Sequence, residues 1–298
     1  MNPAPPPPMS SSLFDVPLTA VATGLFVYPV KACAGVPVDT LELDARGGVA
    51  GDRGWAIVEA GGIVTWQGSH PRLALVAPRF VAEDGHGPGG RLALAAPGLD
   101  TIVVPPEATL APCTARILNE RTGEHESFES ADAGDAVAAW LELATGARLR
   151  LVRLGDAARA REGVNALHLV FESSIAAVDA ELAADGAPAA DPRRYRPNVV
   201  LGGAGAPLDP FIEESVESLS WQHRDTTSRL EVTAPCVRCI VPNVDPATGL
   251  PGDATGHALA ALSQRRRPGG PTVFGIYARG EPGTLLALGD AAALTLAF

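Results

Sequence analysis

Short apolar runs separated by turn residues are the feature that most constrains how this chain can fold. From Ala20 to about Arg116 each run lasts only a few residues, and glycine pairs such as Gly47-Gly48 and Gly61-Gly62 divide the runs. The clearest runs are Leu25–Tyr28, Leu41–Leu43, Trp55–Val58, Ile63–Thr65 and Leu73–Val76. The 298-residue chain contains 32 Gly and 27 Pro, which suits many turns better than long helices. The pattern predicts a small β-barrel or sandwich.

A change of periodicity marks the start of a second region. Between Asp132 and Thr145 apolar residues recur at helical spacing, which predicts a helix there. Length also favours two domains, at roughly 150 residues per domain. We therefore predict a disordered Pro/Ser-rich tail at 1–15, an N-terminal β-barrel domain at 16–130 and a second domain at 131–298. The predicted fold class is mainly β, with β-barrels and a few peripheral helices.

Short strands and two further helices are predicted across the second region. The strands are Leu149–Leu154, Leu167–Phe171, Asn198–Leu201, Arg229–Val232 and Cys239–Val244. The helices are Ser174–Ala184, with Ser173 or Ser174 as N-cap, and His257–Ser263. A closing hairpin is predicted from Val273–Tyr277, Thr284–Leu288 and Ala293–Ala297. The second domain is thus also rich in strands, with helices packed outside.

Charge and the first residues exclude several classes of function. The chain carries 23 Lys and Arg against 34 Asp and Glu, a formal net charge of -11. Such a surface repels the phosphates of nucleic acids and anionic membranes. No apolar run approaches the roughly 20 residues that span a bilayer, and the first residues lack the features of a signal peptide. We expect a soluble cytoplasmic protein with reduced cysteines and no nucleic-acid or membrane partner.

The strongest local motif is Pro235-Cys236-Val237-Arg238-Cys239. A structural zinc site needs a second pair of ligands, and the other cysteines, Cys33 and Cys113, are distant and single. A thioredoxin-type redox pair would precede a helix, whereas the β-branched residues that follow here predict a strand. Two buried structural cysteines are an alternative. The remaining hypothesis is that one thiolate binds a soft metal, with Arg238 helping to hold that thiolate.

A second motif, Arg193-Arg194-Tyr195-Arg196-Pro197-Asn198, places three arginines beside a turn just before a predicted strand. Arginine is suited to bidentate recognition of phosphate, so the motif predicts a compact anion site. The alternative is a solvated basic loop that balances the acidic stretch from Asp179 to Asp191. Asn198, which can donate and accept where the chain turns inward, favours the anion site.

Two further cations lie at predicted strand ends in the first half. Lys31 follows Tyr28-Pro29-Val30, and Arg53 lies within Gly51-Asp52-Arg53-Gly54-Trp55. Lys31 is the only lysine of the chain. With the arginines of the second half, these cations could surround one multiply charged anion. No catalytic triad is predicted, because the six histidines are scattered, and His168 in its apolar run is interpreted as a core residue.

In this order the motifs resemble those of MOSC-domain proteins. They are most similar to the two-domain type with an N-terminal MOSC-associated β-barrel, which includes mitochondrial amidoxime-reducing components and YcbX-like bacterial proteins. The resemblance extends over about residues 20–298 and uses the motifs quoted above. The further matching segments are Thr65-Trp66-Gln67, His70–Ala74, Val244–Gly249 and Phe274–Tyr277. It implies a MOSC N-terminal β-barrel domain followed by a MOSC domain.

The resemblance also implies a molybdenum cofactor, a pterin whose dithiolene holds the metal and whose phosphate is anionic. Cys239 matches the position that coordinates molybdenum, and Cys236 matches a companion cysteine that is not a ligand. The residues at positions that contact the pterin or its phosphate are Lys31, Arg53, Arg196 and Asn198. We add Arg238 to this cofactor-binding set. A soft thiolate suits a metal that sulfur already holds.

The activity implied by the resemblance is an oxidoreductase that reduces N-hydroxylated small molecules, such as amidoximes and hydroxylamines, with Cys239 as the catalytic metal ligand. The sequence lacks a cluster of four cysteines, so we expect electrons from a separate ferredoxin, flavodoxin or cytochrome/flavoprotein reductase. One alternative is a carrier of the cofactor, or of sulfur on Cys239, without substrate turnover. Another is a non-catalytic binding module with a structural cysteine pair.

Two positions depart from the pattern of the most similar members. Ala32 stands where a serine is frequent, which removes a possible hydroxyl contact to the cofactor. Pro242-Asn243 replaces a Thr-Thr pair, so the pocket near the metal is expected to differ. Pyridoxal phosphate is not expected, because a Schiff base needs a lysine and the resemblance assigns Lys31 to the pterin.

Overall fold

The computed structural model describes residues 18–81, 91–119, 121–161 and 166–297. The tail predicted at 1–15 lies outside these residues. The strands of the first half are β1 (Thr19–Val27), β2 (Val36–Pro37), β3 (Thr40–Glu42), β4 (Trp55–Val58), β5 (Ala77–Val81), β6 (Arg91–Ala96), β7 (Leu99–Val103), β8 (Ala111–Leu118) and β9 (His125–Asp132). Those of the second half are β10 (Arg150–Leu154), β11 (Leu167–Phe171), β12 (Val199–Gly203), β13 (Val216–His223), β14 (Thr226–Val237), β15 (Val273–Gly280), β16 (Leu285–Ala287) and β17 (Ala291–Leu296).

Helices are fewer than strands, which confirms the predicted mainly β class. The α-helices are α1 (Asp135–Thr145), α2 (Asp156–Arg159), α3 (Glu172–Ala184) and α4 (Ala254–Arg266). Short 3-10 helices cover Ala60–Gly62, Pro71–Leu75, Glu107–Thr109, Pro192–Tyr195, Ile212–Ser215 and Val241–Asn243. Within the described ranges, none of the helices has the length and apolar character needed to cross a membrane.

Seven strands close into a barrel. Their order is β12-β11-β15-β14-β13-β17-β1, and β1 pairs back onto β12 to complete the circle. Only β11 and β12 run parallel among these neighbours, within the described residues. The interior is filled by buried side chains such as Trp221, Phe171 and Leu25. Closure leaves these strands without unpaired edges, and it depends on a strand from the start of the chain.

The remaining strands form smaller sheets beside this barrel. One has the order β4-β10-β9-β8, another is β5-β6-β7, and β16 pairs with β3. Helix α1 covers a core that contains Trp55, Trp140 and Leu73. This helix ends at Gly146, whose φ of 76° and N–H bond to the Glu142 carbonyl make a left-handed C-cap.

The barrel register brings the segments of the predicted anion site to one rim. Leu25 near the end of β1 pairs with Val199 at the start of β12, and Leu169 of β11 pairs with the same residue. Tyr28 directly follows β1, and Asn198 directly precedes β12. The end of β1 and the start of β12, which are far apart in sequence, therefore lie at the same rim of the barrel.

Most predicted elements of the second region are confirmed. Strand β11 has the predicted bounds, and α1, α3, α4 and β10 lie within a few residues of theirs. The predicted N-cap of α3 is wrong, because the helix begins at Glu172 after Phe171 and has no side-chain cap. Ser174 instead bonds to the Glu213 carboxylate at 2.8 Å.

The strand predicted at Cys239–Val244 is wrong. Strand β14 already ends at Val237, and Val241–Asn243 form a 3-10 helix. Pro242, which has no N–H for a strand ladder, lies near the start of that helix, where its fixed φ is tolerated. The cysteine motif therefore closes a strand and does not open one.

The predicted closing hairpin is also wrong. Strand β15 pairs with β14 and β11, β16 pairs with β3, and β17 pairs with β13 and β1. In the first half, Leu73–Val76 is mostly 3-10 helix, which Pro71 begins, and Ile63–Thr65 makes only isolated bridges among the described residues. Periodicity identifies apolar segments, but it does not show which strands pair, because the pairing partners lie far away in the sequence.

Candidate functional site

Two segments of the first half are joined by main-chain hydrogen bonds. The Arg53 N–H donates to the Tyr28 carbonyl at 2.7 Å, and the Trp55 N–H to the Pro29 carbonyl at 3.0 Å. The Lys31 N–H donates in turn to the Trp55 carbonyl at 2.9 Å. These bonds place the backbones of the predicted residues Lys31 and Arg53 side by side, although the two lie more than twenty residues apart.

The Tyr28 ring is the centre of a buried cluster, here called the arginine–tyrosine cluster and made of Tyr28, Asp52, Arg53 and Arg196. The Arg196 guanidinium carbon lies 4.3 Å from the ring centroid and that of Arg53 lies 5.6 Å away. Both distances are within the range of cation–π attraction. Burial raises the pKa of Tyr28 to about 12, against the opposing effect of the two arginines. The neutral phenol is thus the form that packs between the two cations.

Asp52 supplies the counter-charge inside this cluster. Its carboxylate forms a salt bridge with Arg53 and accepts the Tyr28 N–H at 2.5 Å. Only 7% of the Asp52 side chain is exposed. Burial raises the pKa of Asp52, while Arg53 and the Tyr28 N–H act in the opposite direction. The carboxylate therefore neutralises Arg53 and locks the turn that carries it.

Arg196 reaches across from the second half of the chain. Its Nη1 donates to the Cys33 carbonyl at 2.5 Å. Within the described ranges no carboxylate lies at ion-pair distance from Arg196. Burial lowers its pKa, and the nearby Arg53 acts in the same direction. Arg196 thus keeps an uncompensated positive charge at the rim of the barrel.

Its two neighbouring arginines are neutralised. Arg193 pairs with Asp191 and Arg194 with Asp245, each at 2.5 Å. The Arg193 pair is the contact that the solvated-loop alternative predicts. All three arginines nevertheless line one small cavity of about 20 Å³. The other residues lining it are Ala34, Gly35, Gln67, Ala74, Val244 and Pro246.

Asn198 is fully buried, and its side-chain amide bonds to the backbone on both sides. The amide nitrogen donates to the Phe26 carbonyl at 3.1 Å, and the amide oxygen accepts the His168 N–H at 3.1 Å. The Asn198 side chain therefore connects β1 to β11, two residues after Arg196 in the chain. Its direct contact with a cofactor stays a prediction, whereas its contribution to the position of Arg196 follows from these bonds.

The two cysteines of the motif have opposite surroundings. Cys236 is buried, at 2% exposure, whereas Cys239 is exposed. The Arg238 Nη1 lies 3.1 Å from the Cys236 sulfur, and its Nη2 donates to the Tyr195 carbonyl at 3.1 Å. Arg238 therefore contacts Cys236, and the sulfur expected to bind the metal, that of Cys239, is open to solvent.

The backbone at the site is strained. Ala32, Arg53 and Arg196 have φ values of 71°, 49° and 56°, in the left-handed region that non-glycine residues rarely adopt. Only two other non-glycine residues in the described part of the chain share this feature. Such residues persist where the surrounding contacts hold them, and they cluster at functional sites. Two of the six predicted site residues, Arg53 and Arg196, thus share a backbone strain that does not depend on their charge.

Some buried polar atoms at the site have no partner. The Nε atoms of Arg194 and Arg238 are buried without a hydrogen bond to any described group. Buried donors normally have partners, because an unmade bond costs about 1–3 kcal/mol. An anionic ligand with several acceptor oxygens would satisfy such donors, so the residues present fit the phosphate and polar edge of a pterin.

The donor set also defines what kind of metal site is possible. Among the described residues, no group of three or more His, Cys, Asp or Glu side chains is placed to hold a metal ion. A single protein thiolate then suffices only for a metal that a cofactor already chelates. Cys239 is the exposed cysteine of the motif, so its thiol is accessible to such a metal.

A larger cavity of about 540 Å³ lies away from these residues, between α1 and the four-stranded sheet. Its lining includes Cys113, Asp132 and Arg150, and Arg150 is already paired with Asp132 at 2.5 Å. None of the six predicted site residues lines it. Size therefore does not identify the candidate site.

Besides Tyr28 and Asp52 of the cluster, three residues near the site were not assigned to it from the sequence. His168, interpreted as a core residue, is buried and lies with its Nδ1 3.3 Å from the Arg196 carbonyl and its Nε2 3.4 Å from Arg238 Nη1. Tyr277 places its hydroxyl 3.2 Å from the Cys236 sulfur. Gln67 lines the small cavity. A polar residue inside an apolar run was the available signal for His168.

Two family models match this chain. Residues 19–147 match the MOSC N-terminal beta barrel domain, and residues 154–293 match the MOSC domain. These matches confirm the resemblance that the motifs suggested. The exact boundaries at 16–130 and 131–298 stay a prediction, since β1 lies in the barrel of the later strands and β10 pairs with β4.

Curated relatives of two kinds are similar to the chain. Mitochondrial amidoxime reducing component 2 of Bos taurus is 27% identical over 76% of this chain and 67% of its own length. Molybdenum cofactor sulfurase of Bos taurus is 26% identical over 86% of this chain, and that of Caenorhabditis briggsae is 28% identical over 96%. The chain spans about a third of these sulfurases, at 30% and 37% of their lengths.

Among solved structures, the YUAD protein from Bacillus subtilis aligns with a TM-score of 0.45 at 13% identity, over 94% of this chain and 98% of that one. This likeness is too distant to support an inference about function. The family models, the closed barrel and the order of the motifs agree with one another. The chain belongs to the family of MOSC-domain proteins that carry an N-terminal MOSC β-barrel domain.

Proposed function

We propose that this protein binds the molybdenum cofactor at the arginine-lined cavity and reduces N-hydroxylated small molecules. Its relatives are named for amidoxime reduction or for the molybdenum cofactor. The observation that carries the proposal is that an exposed cysteine, Cys239, follows the buried Cys236 in one turn. Arg238 in that turn contacts the Cys236 sulfur and His168. His168 in turn contacts the Arg196 carbonyl, so the turn is connected to the barrel rim that holds Arg196. An accessible thiol and an uncompensated guanidinium there match the two ends of a metal-bearing pterin phosphate.

Each cation has a distinct task in this proposal. Arg196, with no carboxylate partner in the described ranges, binds the phosphate, and Lys31 adds a compact ammonium from the neighbouring turn. Arg53 is already neutralised by Asp52, so it acts mainly by holding the Tyr28 ring in place. Cys239 would ligate the metal. The cofactor, when bound, supplies the two-electron redox chemistry.

The protein itself prepares this site before any ligand arrives. Gly35 packs against the Tyr28 ring so closely that a Cβ would lie 2.6 Å from it, which fixes the turn after β1. Asn198 fixes the segment between Arg196 and the start of β12. A prearranged set of cations loses little freedom on binding and therefore binds more tightly. Electrons would come from a separate ferredoxin, flavodoxin or cytochrome/flavoprotein reductase.

Metal and pterin analysis tests cofactor binding. Protein from a cofactor-competent host is expected to contain equimolar molybdenum and pterin, and Cys239→Ala is expected to lose the metal while it keeps the fold. Cys113→Ala is the matched control, because Cys113 lies in the other sheet. No molybdenum in the wild type, or full loading of Cys239→Ala, would contradict the proposal.

Charge variants test the assigned cations. Arg196→Glu is expected to abolish pterin retention, and Lys31→Arg is expected to weaken it without loss of the fold, because the planar guanidinium replaces a compact ammonium. Arg279→Glu, at an exposed position of β15, is the control. Equal pterin retention in Arg196→Glu and Arg279→Glu would show that the phosphate binds elsewhere.

A carrier of cofactor or sulfur is the second candidate, and the exposure of Cys239 favours it, since a sulfur donor or acceptor must reach the thiol. Similarity to molybdenum cofactor sulfurases points the same way. Loaded protein with a chemical reductant and an amidoxime separates the two candidates. Turnover that Cys239→Ala lacks supports the reductase, and loaded protein without turnover supports the carrier.

A further inference from the structure

The sulfur of Cys236 lies beside one guanidinium donor and one hydroxyl group. The Arg238 Nη1 lies 3.1 Å away and the Tyr277 hydroxyl 3.2 Å away. The residue is only 2% exposed, so water does not replace these contacts. A guanidinium that donates to a buried sulfur favours the anion, because a neutral thiol is only a weak acceptor.

Arg238 is the cation that this sulfur faces. Within the described ranges no carboxylate lies at ion-pair distance from Arg238. Its Nη2 is held by the Tyr195 carbonyl and its Nη1 by Cys236 and His168. A half-buried guanidinium without a counter-ion is costly. Cys236 is the nearest group that can supply the negative charge.

The neighbouring arginines show the same arrangement with carboxylates. Arg53 has Asp52, Arg193 has Asp191 and Arg194 has Asp245. A thiolate at Cys236 would do for Arg238 what aspartate does for the other three. Arg196 would then be the arginine of this group that keeps its charge for a ligand.

We propose that Cys236 is the thiolate counter-ion of Arg238, and that it holds the guanidinium in place beside the metal-binding Cys239. The two cysteines of the motif thus have separate tasks, since the buried one fixes a charge and the exposed one faces the ligand. The existence of the thiolate does not depend on the proposed function, whereas its benefit to the cofactor site rests on it.

The packing around His168 supports a built site. Gly275 has a φ of 75°, and a Cβ there would lie 2.7 Å from the His168 Nε2. A glycine is therefore required for the imidazole to reach its position. Burial raises the pKa of the Cys236 thiol, but His168, Arg238 and the Tyr277 hydroxyl outweigh it and hold that pKa below its usual range.

The ultraviolet absorbance of thiolate, measured against pH, tests the proposal in the full-length chain. The protein is made in a host that lacks the pterin, so the outcome does not depend on molybdenum binding. Burial raises the pKa of Cys33 to about 12 and also raises that of Cys113, so neither adds thiolate near neutrality. Wild type and Cys239→Ser are expected to show a thiolate band at pH 7 that Cys236→Ser lacks.

Two variants that keep Cys236 make the test independent of the folding of Cys236→Ser. Arg238→Gln is expected to move the thiolate midpoint up by about 1–3 pH units, since an adjacent opposite charge shifts a pKa by that amount. Tyr277→Phe is expected to move it up less. A band that survives in Cys236→Ser, disappears in Cys239→Ser, or keeps its midpoint in Arg238→Gln would overturn the proposal.

Discussion

The arginine–tyrosine cluster and the turn at Cys239 lie in one site but are built in opposite ways. In the cluster, Tyr28 is 1% exposed, and its charged neighbours contact one another. Cys239 is exposed, and the apolar side chains on either side of it, Val237 and Ile240, are 58% and 55% exposed. The cluster resembles a protein core and the turn resembles a surface.

The difference shows where the fold contributes to binding. Arg196 is held against the buried Tyr28 ring, and the neighbouring Arg53 is paired with Asp52, so a ligand meets a rigid set of cations. The thiol expected to reach a metal stays accessible, because a buried ligand would block entry. Stability should therefore depend strongly on the cluster and weakly on the turn, and the following predictions test this contrast.

The largest effect is expected from breaking the cluster at Asp52. Asp52→Ala leaves Arg53 half-buried without its counter-ion and removes the acceptor of the Tyr28 N–H. Loss of one partner of a buried pair costs about 3–5 kcal/mol. Urea unfolding of wild type and variant measures it. Glu231→Ala, which breaks the exposed Arg229 pair, is the control and should leave the midpoint unchanged. Equal effects would refute the contrast.

Glu213 sharpens the comparison, because it is a buried carboxyl with a hydroxyl partner, Ser174, and no ion pair among the described residues. Burial raises its pKa from 4.5 to about 7. A raised pKa gives stability that is present below pH 4.5 and is lost as the pH rises through 7. Glu213→Gln is expected to flatten this loss, which amounts to about 3 kcal/mol at pH 8.

Unfolding free energies at pH 5 and pH 8 measure the Glu213 effect. Wild type should lose stability relative to Glu213→Gln over this interval. Glu217→Gln, at an exposed position of β13, is the control and should follow wild type. Parallel profiles of unfolding free energy against pH for wild type and Glu213→Gln would show that burial does not raise the pKa of this carboxyl.

A smaller effect is expected at Ala32, in the turn that follows β1. Its φ of 71° favours glycine, so Ala32→Gly relieves strain and is expected to stabilise the protein by about 0.5 kcal/mol. The gain is small because glycine also loses more entropy on folding. Ala139→Gly in α1 is the matched control and should destabilise by about 1 kcal/mol. Thermal unfolding distinguishes the two signs.

The smallest effect is expected at Cys239. Cys239→Ala removes an exposed side chain with no hydrogen bond to any described residue, so stability should change by less than about 0.5 kcal/mol. Cys236→Ala should cost more, because it leaves Arg238 without an acceptor at that position. Equivalent midpoints for the two variants in cofactor-free protein would contradict the difference between buried cluster and exposed turn.

The sequence indicated candidate site residues but not the contacts that hold them in place. Lys31, Arg53 and Arg196 were recognised from residue type and motif, and the structure brings their backbone segments together. Asp52 lay in a quoted motif, yet its pairing with Arg53 depends on a turn that periodicity does not describe. His168 was interpreted as a core residue because its side-chain contacts, the Arg196 carbonyl and Arg238, come from distant parts of the sequence.

The same limit explains the misassigned strands. Val241 and its neighbours have β-branched side chains, but Pro242 and the bend after β14 decide the local structure. Residues 284–288 were predicted to join a hairpin, whereas β16 pairs with β3, whose residues lie more than two hundred positions away. Local patterns identify segments, and long-range pairing assigns their places.

The closure of the barrel by β1 has a consequence for synthesis. Val21 near its start pairs with Ala291, about 270 residues later in the chain. At about 5–20 residues per second, the ribosome needs roughly 15–50 s to make that partner. During this time β1 leaves the ribosome with one edge unpaired and exposed to other chains. We therefore expect nascent chains to need protection at their first strand, long after that strand has been made.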